Sequence, residues 1–163
     1  MNRLTELGKR AKAASRTLSC ASTAQKNAAL AAIADALCAH IPEILAANEE
    51  DLKAAAQNGM SESLQDRLRL TAARIEGIAG AVRDLIGLPD PVGQVIDGGT
   101  RPNGLKIEKV RTPIGVVGMI FEARPNVTVD AACLCLKSSN VCILRGGKEA
   151  IHSNTALAQI MCG

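Results

Sequence analysis

Two short loops in the last third of the sequence combine basic side chains with glycine or asparagine. The first covers residues 121–126, and the second, residues 145–148, reads Arg-Gly-Gly-Lys. A glycine pair lets the backbone approach an anion closely, and a helix that begins after it presents a positive dipole end. We therefore predict a phosphate or carboxylate site in one crevice, lined by Arg124, Asn126, Arg145 and Lys148.

Each of these residues also has a plain structural interpretation. Gly146-Gly147 is typical of an ordinary turn, and Asn126 is well placed to cap a helix after Pro125. Arg124 suits a salt bridge to Glu122 or Asp130 equally well. The glycine spacings of the dinucleotide fingerprint and of the P-loop are absent. Spacing alone therefore leaves the binding and structural interpretations open.

Other residue types that commonly do chemistry form no recognisable site. His40 and His152 have no serine or cysteine partner at a catalytic spacing, and His40 is expected to end a helix. The six cysteines follow no CxxC pattern and lie in apolar segments, which favours free buried thiols. The acidic run 49–51 is expected to be a solvated helix face. We predict neither a metal site nor a disulfide framework.

The elements that must position the two loops follow from the spacing of apolar residues. Residues 114–120 and 141–144 are short apolar runs, whereas 127–137 and 149–161 have the length of helices. The order strand, helix, strand, helix predicts a parallel sheet, because parallel strands need crossover helices. Ligands collect at the carboxyl ends of such strands, which is where both loops lie.

The first 90 residues predict Ala-rich helices. Ser22 and Gln25 fit a capping box, Pro42 marks a break, and Thr71 fits a further N-cap. A change to Pro, Gly, Val and Ile follows, and two apolar runs around a Gly-rich stretch predict a β-hairpin. The expected organisation is a helical segment, a hairpin or connecting segment, and the start of an α/β domain, over residues 1–90, 91–112 and 113–163.

Composition restricts the classes of function. Aromatic residues make up 1% of the 163 residues, which argues against stacking-based nucleic-acid binders and against an aromatic belt at a membrane. No apolar run approaches the ~20 residues that span a bilayer, and residues 1–15 lack the apolar core of a signal peptide. We expect a cytoplasmic protein that binds a small molecule, with no nucleic-acid or membrane partner.

Longer motifs around the two loops carry a specific resemblance. They are Thr-Pro-Ile-Gly-Val-Val-Gly-Met-Ile-Phe-Glu-Ala-Arg-Pro-Asn-Val-Thr-Val-Asp at 112–130, Cys-Leu-Lys-Ser-Ser-Asn at 135–140 and Ile-Leu-Arg-Gly-Gly-Lys-Glu-Ala at 143–150. The chain resembles the gamma-glutamyl phosphate reductase family, also called glutamate-5-semialdehyde dehydrogenase, a branch of the aldehyde dehydrogenase superfamily. The resemblance extends from end to end and implies the start of a Rossmann-like NADP-binding domain.

The resemblance implies a reaction and roles for several residues. The reaction is NADPH-dependent reduction of L-glutamyl 5-phosphate to L-glutamate 5-semialdehyde and phosphate, in proline biosynthesis. Asn126 would stabilise the developing oxyanion. Arg124 would bind a substrate carboxylate or phosphate. The cofactor would be bound by the second loop, in which a cation at 148 favours NADP over NAD; its residues are Arg145, Gly146, Gly147, Lys148 and Glu149.

The nucleophilic cysteine of that family has no counterpart among the six cysteines of this sequence. The resemblance therefore implies an N-terminal fragment that is inactive alone and is prone to self-association through unpaired strand edges. It leaves a homo-oligomer open for a longer protein. The alternative is a self-sufficient anion-binding, nucleotide-binding or helical interaction module without catalysis.

Overall fold

The helices of the N-terminal half begin and end at the expected signals. The computed structural model describes residues 2–163. Ser22 and Gln25 form the capping box, and the side chain of Thr71 accepts a hydrogen bond from the Arg74 N–H. The backbone bends at Pro42, in the first turn of a helix, as expected. The five helices are α1 (Arg3–Leu18), α2 (Thr23–Ala39), α3 (Ile41–Gln57), α4 (Glu62–Leu68) and α5 (Ala72–Gly87).

The predicted hairpin follows the helices. Strands β1 (Val95–Thr100) and β2 (Lys106–Val110) pair antiparallel, with a register irregularity between Val95 and Asp97. Every residue of both strands is exposed. The hairpin therefore takes no part in the buried core of the described residues.

The predicted strand–helix–strand–helix order is confirmed. Strand β3 (Val116–Ile120), helix α6 (Asn126–Lys137) and strand β4 (Val141–Arg145) lead through a short 3₁₀ turn (Lys148–Ala150) into helix α7 (Ile151–Cys162). Strands β3 and β4 pair parallel, with Ile120 opposite Arg145. The strands are only half-buried, although parallel strands are usually covered on both faces; Ile120 is 81% exposed.

The main hydrophobic core lies between the first helices and the two helices of the α/β unit. Leu30 and Leu37 of α2 and Ile75 of α5 share a cluster with Val129 of α6 and Leu157 of α7. Burial of these side chains removes apolar surface from water and holds the two parts of the chain together. The boundary placed near residue 90 therefore falls within a shared core, and the domain division stays a prediction.

Two lysines are buried among the helices. Lys26 is 2% exposed, and its ammonium lies 2.5 Å from Asp90 Oδ2 and donates to Ser139 Oγ at 3.0 Å. Lys137 donates to Asn27 Oδ1 at 2.8 Å and to the Ile86 carbonyl at 3.0 Å. Each ammonium connects segments that are distant in sequence, and its partners offset the cost of burying a charge.

No single helix among residues 2–163 is both long enough and apolar enough to span a membrane. Helices α2 and α3 satisfy the length and composition criteria only when they are taken together, and a bend of 69° separates them.

Candidate functional site

The two predicted loops meet at the carboxyl ends of β3 and β4. The Phe121 N–H donates to the Arg145 carbonyl at 3.1 Å, which extends the pairing of the two strands into the loops. A Cβ atom at Gly147 would lie 3.6 Å from the Ala123 nitrogen, so the second loop runs close against the first. The parallel register thus places both loops at one edge of the sheet, as the sequence predicts.

The second loop opens into a groove of about 680 Å³, which we call the glycine groove. Its lining includes Phe121, Thr128, Arg145, Gly146, Lys148 and Asn154. A Cβ atom at Gly146 would collide with Nδ2 of Asn154 and would lie 3.2 Å from the Phe121 ring. Only glycine therefore fits there without displacing these neighbours.

The groove contains donors that suit an anion. Arg145 and Lys148 are exposed. The Asn154 side chain accepts a hydrogen bond from Thr128 Oγ1 at 2.9 Å, but its buried Nδ2 has no acceptor in the described structure. Two cations and an unused amide donor fit the phosphate-bearing cofactor that the resemblance implies.

The start of helix α7 is already occupied by an internal anion. Asp51 of α3 is only 2% exposed and accepts hydrogen bonds from the His152 and Ser153 N–H groups at 3.1 and 2.8 Å. Ser153 Oγ also donates to Asp51, at 2.6 Å. The expectation that 49–51 is a solvated face is therefore wrong at Asp51. Its carboxylate neutralises the positive end of α7, so an anion at the second loop depends on the loop and its side chains.

The first loop directs its polar side chains into a different groove. Arg124 and Asn126 line a groove of about 450 Å³ between α4, α5 and α6, together with Arg67, Arg69 and Arg74. We call this the arginine groove. The prediction of one shared crevice is thus corrected to two grooves, because Arg145 and Lys148 line the glycine groove instead. Both grooves include residues of the first turn of α6.

Neither structural alternative for the first loop is found: Asn126 is not the N-cap of α6, and Arg124 forms no salt bridge within residues 2–163. Pro125 is the N-cap of α6, and Asn126 is its first helical residue; the Asn126 amide donates to Asp130 Oδ2 at 3.0 Å. Within residues 2–163, Arg124 has no carboxylate within 4.0 Å, so neither predicted salt bridge forms. Both side chains remain available to a ligand, since the Asn126 amide carries a second N–H.

The histidines behave largely as expected. His40 ends α2, with its Nδ1 2.9 Å from the Ala36 carbonyl. His152 is exposed and lies 3.3 Å from Glu50. Within residues 2–163, neither imidazole forms a hydrogen bond with a serine or cysteine side chain, and no group of three His, Cys, Asp or Glu residues could hold a metal ion.

The expectation of buried thiols is wrong at Cys20 and Cys162, which are exposed, whereas three of the other cysteines are poor nucleophiles. Burial raises the pKa of Cys133 to about 12, and the nearby Asp130 and Cys142 add to this effect. Burial likewise raises the pKa of Cys142 to about 11 and raises the pKa of Cys135. A thiol with a raised pKa carries little thiolate at neutral pH, and the thiolate is the reactive form.

Sequence and structure comparisons agree on the relatives of this chain. Proteins named gamma-glutamyl phosphate reductase are 58% identical in Pectobacterium carotovorum and 55% identical in Haemophilus influenzae, each over 97% of this chain. The crystal structure of the Thermotoga maritima gamma-glutamyl phosphate reductase superposes with a TM-score of 0.94 and 45% identity over 98% of the chain. The chain is homologous to the N-terminal part of gamma-glutamyl phosphate reductases.

The match covers only part of each gamma-glutamyl phosphate reductase. The chain spans 38% of the length of the two bacterial proteins and 39% of the Thermotoga chain. The Saccharomyces cerevisiae gamma-glutamyl phosphate reductase gives the same TM-score of 0.94 at 34% identity, with 41% of that chain covered. No protein-family model matches the sequence. The expected fold class, helices followed by the start of a parallel α/β unit, is confirmed by these structures.

Sequence reasoning missed several polar residues at this edge of the reductase fold. Arg67, Arg69 and Arg74 line the arginine groove, and Asp51 caps α7. The sequence pattern that could have indicated Arg69 is a charged residue between two leucines, Leu68 and Leu70, which are both buried in the structure. The role of Asp51 depends on contact with a helix that begins 100 residues later, and no local pattern indicates it.

Proposed function

We propose that this chain forms the first part of an enzyme that reduces L-glutamyl 5-phosphate with NADPH to L-glutamate 5-semialdehyde and phosphate. The observation that carries the proposal is identity of 52–58% to proteins named gamma-glutamyl phosphate reductase over nearly the whole chain. The two grooves that the loops after β3 and β4 help to line supply matching chemistry, because each offers cations to an anionic ligand. Such a biosynthetic enzyme would work in the cytoplasm.

The glycine groove is the proposed cofactor site. Arg145 lies at the end of β4 and would bind the cofactor ribose and phosphates together with the backbone of Gly146 and Gly147. Lys148 would favour the additional phosphate of NADP over NAD, and Glu149 would contact the cofactor beside it. When bound, the cofactor supplies the hydride. The chain's own residues bind and orient it.

The first loop is the proposed substrate side of the site. A cysteine thiolate would attack the acyl carbon of the substrate and displace phosphate; reduction of the resulting thioester would then break its C–S bond and release the aldehyde and the thiolate. The Asn126 amide would donate a hydrogen bond to the carbonyl oxygen as it gains charge. Arg124 would bind a carboxylate or phosphate of the substrate. The raised pKa values of Cys133, Cys135 and Cys142 suppress the thiolate and argue against each of them as the nucleophile.

Because none of the six cysteines matches the nucleophile of the family that the chain resembles, we expect the isolated chain to be inactive. A chimera tests it: this sequence replaces the matching part of the Haemophilus influenzae reductase, to which it is 55% identical. We expect the chimera to consume NADPH with L-glutamyl 5-phosphate, and the 163-residue chain alone to show no turnover. A folded but inactive chimera would refute the proposal, and turnover by the isolated chain would refute the assignment of the nucleophile to another segment.

Two variants of the chimera separate the proposed roles. Asn126→Ala should lower kcat by about 10²–10³, as loss of an oxyanion donor does in other enzymes. Arg145→Gln should raise the KM for NADPH and leave the KM for glutamyl phosphate unchanged. Arg16→Gln is the matched control, because Arg16 is exposed on α1 and lines neither groove. Equal effects of Arg16→Gln and Arg145→Gln would contradict the cofactor assignment.

A further inference from the structure

The arginine groove concentrates positive charge that the structure does not neutralise. Four arginines and two aspartates line it, so its lining carries two net positive charges. Arg74 already has partners within the protein. It donates to Asp66 Oδ1 at 3.0 Å and to the carbonyl oxygens of Asp66 and Arg69 at 2.7 Å. Its role is to hold the connection between α4 and α5 in place.

The other three arginines have no such partner. Within the part of the chain that the structure describes, Arg67, Arg69 and Arg124 have no carboxylate within 4.0 Å. The second acidic residue of the groove, Asp130, accepts a hydrogen bond from Asn126 instead. Guanidinium groups that line one groove without a carboxylate paired to each of them repel one another, and a bound anion would reduce that repulsion.

The backbone that carries Arg69 is held by a buried amide. Asn48 is 1% exposed; its Nδ2 donates to the Leu68 carbonyl at 2.9 Å, and its Oδ1 accepts from the Leu70 N–H at 2.8 Å. Leu68 and Leu70 are themselves buried on either side of Arg69. The backbone on both sides of Arg69 is therefore held in place, so that ligand binding has to order only the exposed side chain, which lowers its entropy cost.

We propose that Arg67 and Arg69, together with Arg124, bind an oxyanion of a small ligand, a carboxylate or a phosphate. The proposal rests on the proposed function for the identity of that ligand: the substrate L-glutamyl 5-phosphate carries both groups and a net charge of about −2 near neutral pH. That charge matches the two net positive charges of the groove. Asn126, in the same groove, places the bound anion next to the proposed reacting carbonyl.

Binding to the 163-residue chain tests the site directly. Isothermal titration calorimetry with inorganic phosphate and, separately, with L-glutamate at constant ionic strength distinguishes the two sources of the oxyanion. Arg67→Gln and Arg69→Gln should each raise the dissociation constant for the favoured anion about tenfold. Arg16→Gln, an exposed arginine outside the groove, should leave it unchanged. Circular dichroism melts establish that each variant folds.

The outcome also separates this site from the cofactor site. Phosphate can bind the glycine groove, so each titration is repeated with Arg145→Gln, which should not alter the part of the binding that depends on Arg67 and Arg69. Unchanged affinity in the Arg67→Gln/Arg69→Gln double variant would overturn the proposal, even if the chimera is active. Arginine-dependent binding combined with an inactive, folded chimera would support the oxyanion site and refute the reductase assignment.

In the active chimera the same arginines should act on KM. Loss of both should raise the KM for L-glutamyl 5-phosphate by about tenfold or more and leave the KM for NADPH unchanged. A fall in kcat without a change in either KM would overturn a binding role. Lysine at these positions should restore part of the affinity, because it keeps the charge and loses the fork of donors.

Discussion

Replacement of Asp90 by asparagine tests how much the ion pair between Asp90 and the buried Lys26 contributes to stability. The Asp90 carboxylate accepts hydrogen bonds from Thr23 Oγ1 at 2.7 Å and from the Val92 N–H at 3.0 Å, and it pairs with Lys26. Burial by itself would raise the pKa of Asp90, but the hydrogen bonds from Lys26, Thr23 and Val92 lower it to about 2 from 3.8. Asparagine keeps the shape and removes the charge, which leaves the Lys26 ammonium buried without its anion.

Two physical arguments give the magnitude. A shift of the pKa from 3.8 to about 2 corresponds to about 2 kcal/mol of stability. Breaking a buried pair by removing one partner costs about 3–5 kcal/mol, because the remaining charge is uncompensated. Lys26 is 2% exposed but keeps the Ser139 hydroxyl, so we expect a loss near the lower end, about 3 kcal/mol.

Urea unfolding followed by circular dichroism measures this loss; the chain has no Trp or Tyr, which rules out the usual fluorescence signal. With a slope of about 2 kcal/mol/M, a loss of about 3 kcal/mol lowers the midpoint by about 1.5 M. Asp35→Asn is the control, since its ion pair with Arg83 is exposed and is worth less than about 1 kcal/mol. The double variant Lys26→Met/Asp90→Asn should recover much of the loss. An Asp90→Asn midpoint equal to that of Asp35→Asn would refute the reasoning.

The same pair predicts a direction for the pH dependence. The folded-state pKa of Asp90 lies below its unfolded value, so its contribution is fully present above about pH 4. It is lost as the pH falls from about 4 through 2. The Asp90→Asn variant should lack this part of the acid destabilisation; an unchanged difference in stability between the two proteins over that range would contradict the lowered pKa.

Three further perturbations have defined outcomes. Asp51→Asn should lower the free energy of unfolding by about 2–3 kcal/mol, because the start of α7 loses its charged cap. The control Glu50→Gln, at an exposed residue, should cost less than about 1 kcal/mol, and equal urea midpoints of the two variants would contradict the role of Asp51 as a cap. Iodoacetamide at pH near 8 should modify the exposed Cys20 and Cys162 long before Cys133 and Cys142, as followed by peptide mass spectrometry; early modification of Cys133 would contradict its raised pKa. Gly146→Ala should weaken NADP binding in calorimetry by displacing the Asn154 amide, and Gly99→Ala in the hairpin, where a Cβ meets nothing, should not; equal affinities would contradict the close contact.

Local signals predicted the elements well. The capping box at Ser22, the cap at Thr71 and the β-hairpin are encoded within a few residues, and the structure contains all of them, although Gly98 and Gly99 of the predicted connection belong to β1. The parallel pairing of β3 with β4 also followed from the order of the elements. These features depend on backbone geometry and on hydrogen bonds between residues that are close in sequence. The residue types at those positions therefore indicate them directly.

The division of the site into two grooves could not be predicted in the same way. Arg124 lies in the loop after β3 and Arg145 is the last residue of β4, yet Arg124 lines a groove with α4 and α5 whereas Arg145 lines one with α7. Asp51 appeared to be one of three acidic residues on a helix surface, and only the packing of α3 against α7 buries it. Both results depend on contacts between segments that are far apart in sequence.

The strands that carry the two loops contribute no side chain to the buried clusters of the described residues. Those clusters are built from helices and their connections, chiefly α2, α3, α5, α6 and α7. Regions with few buried apolar contacts open locally at lower free energy than the core. Amide hydrogens of β3 and β4 should thus exchange with solvent through local opening, whereas those of Leu30 and Leu37 should require global unfolding. A ligand at Gly146 would act first on these weakly protected amides of β3 and β4 and would slow their exchange.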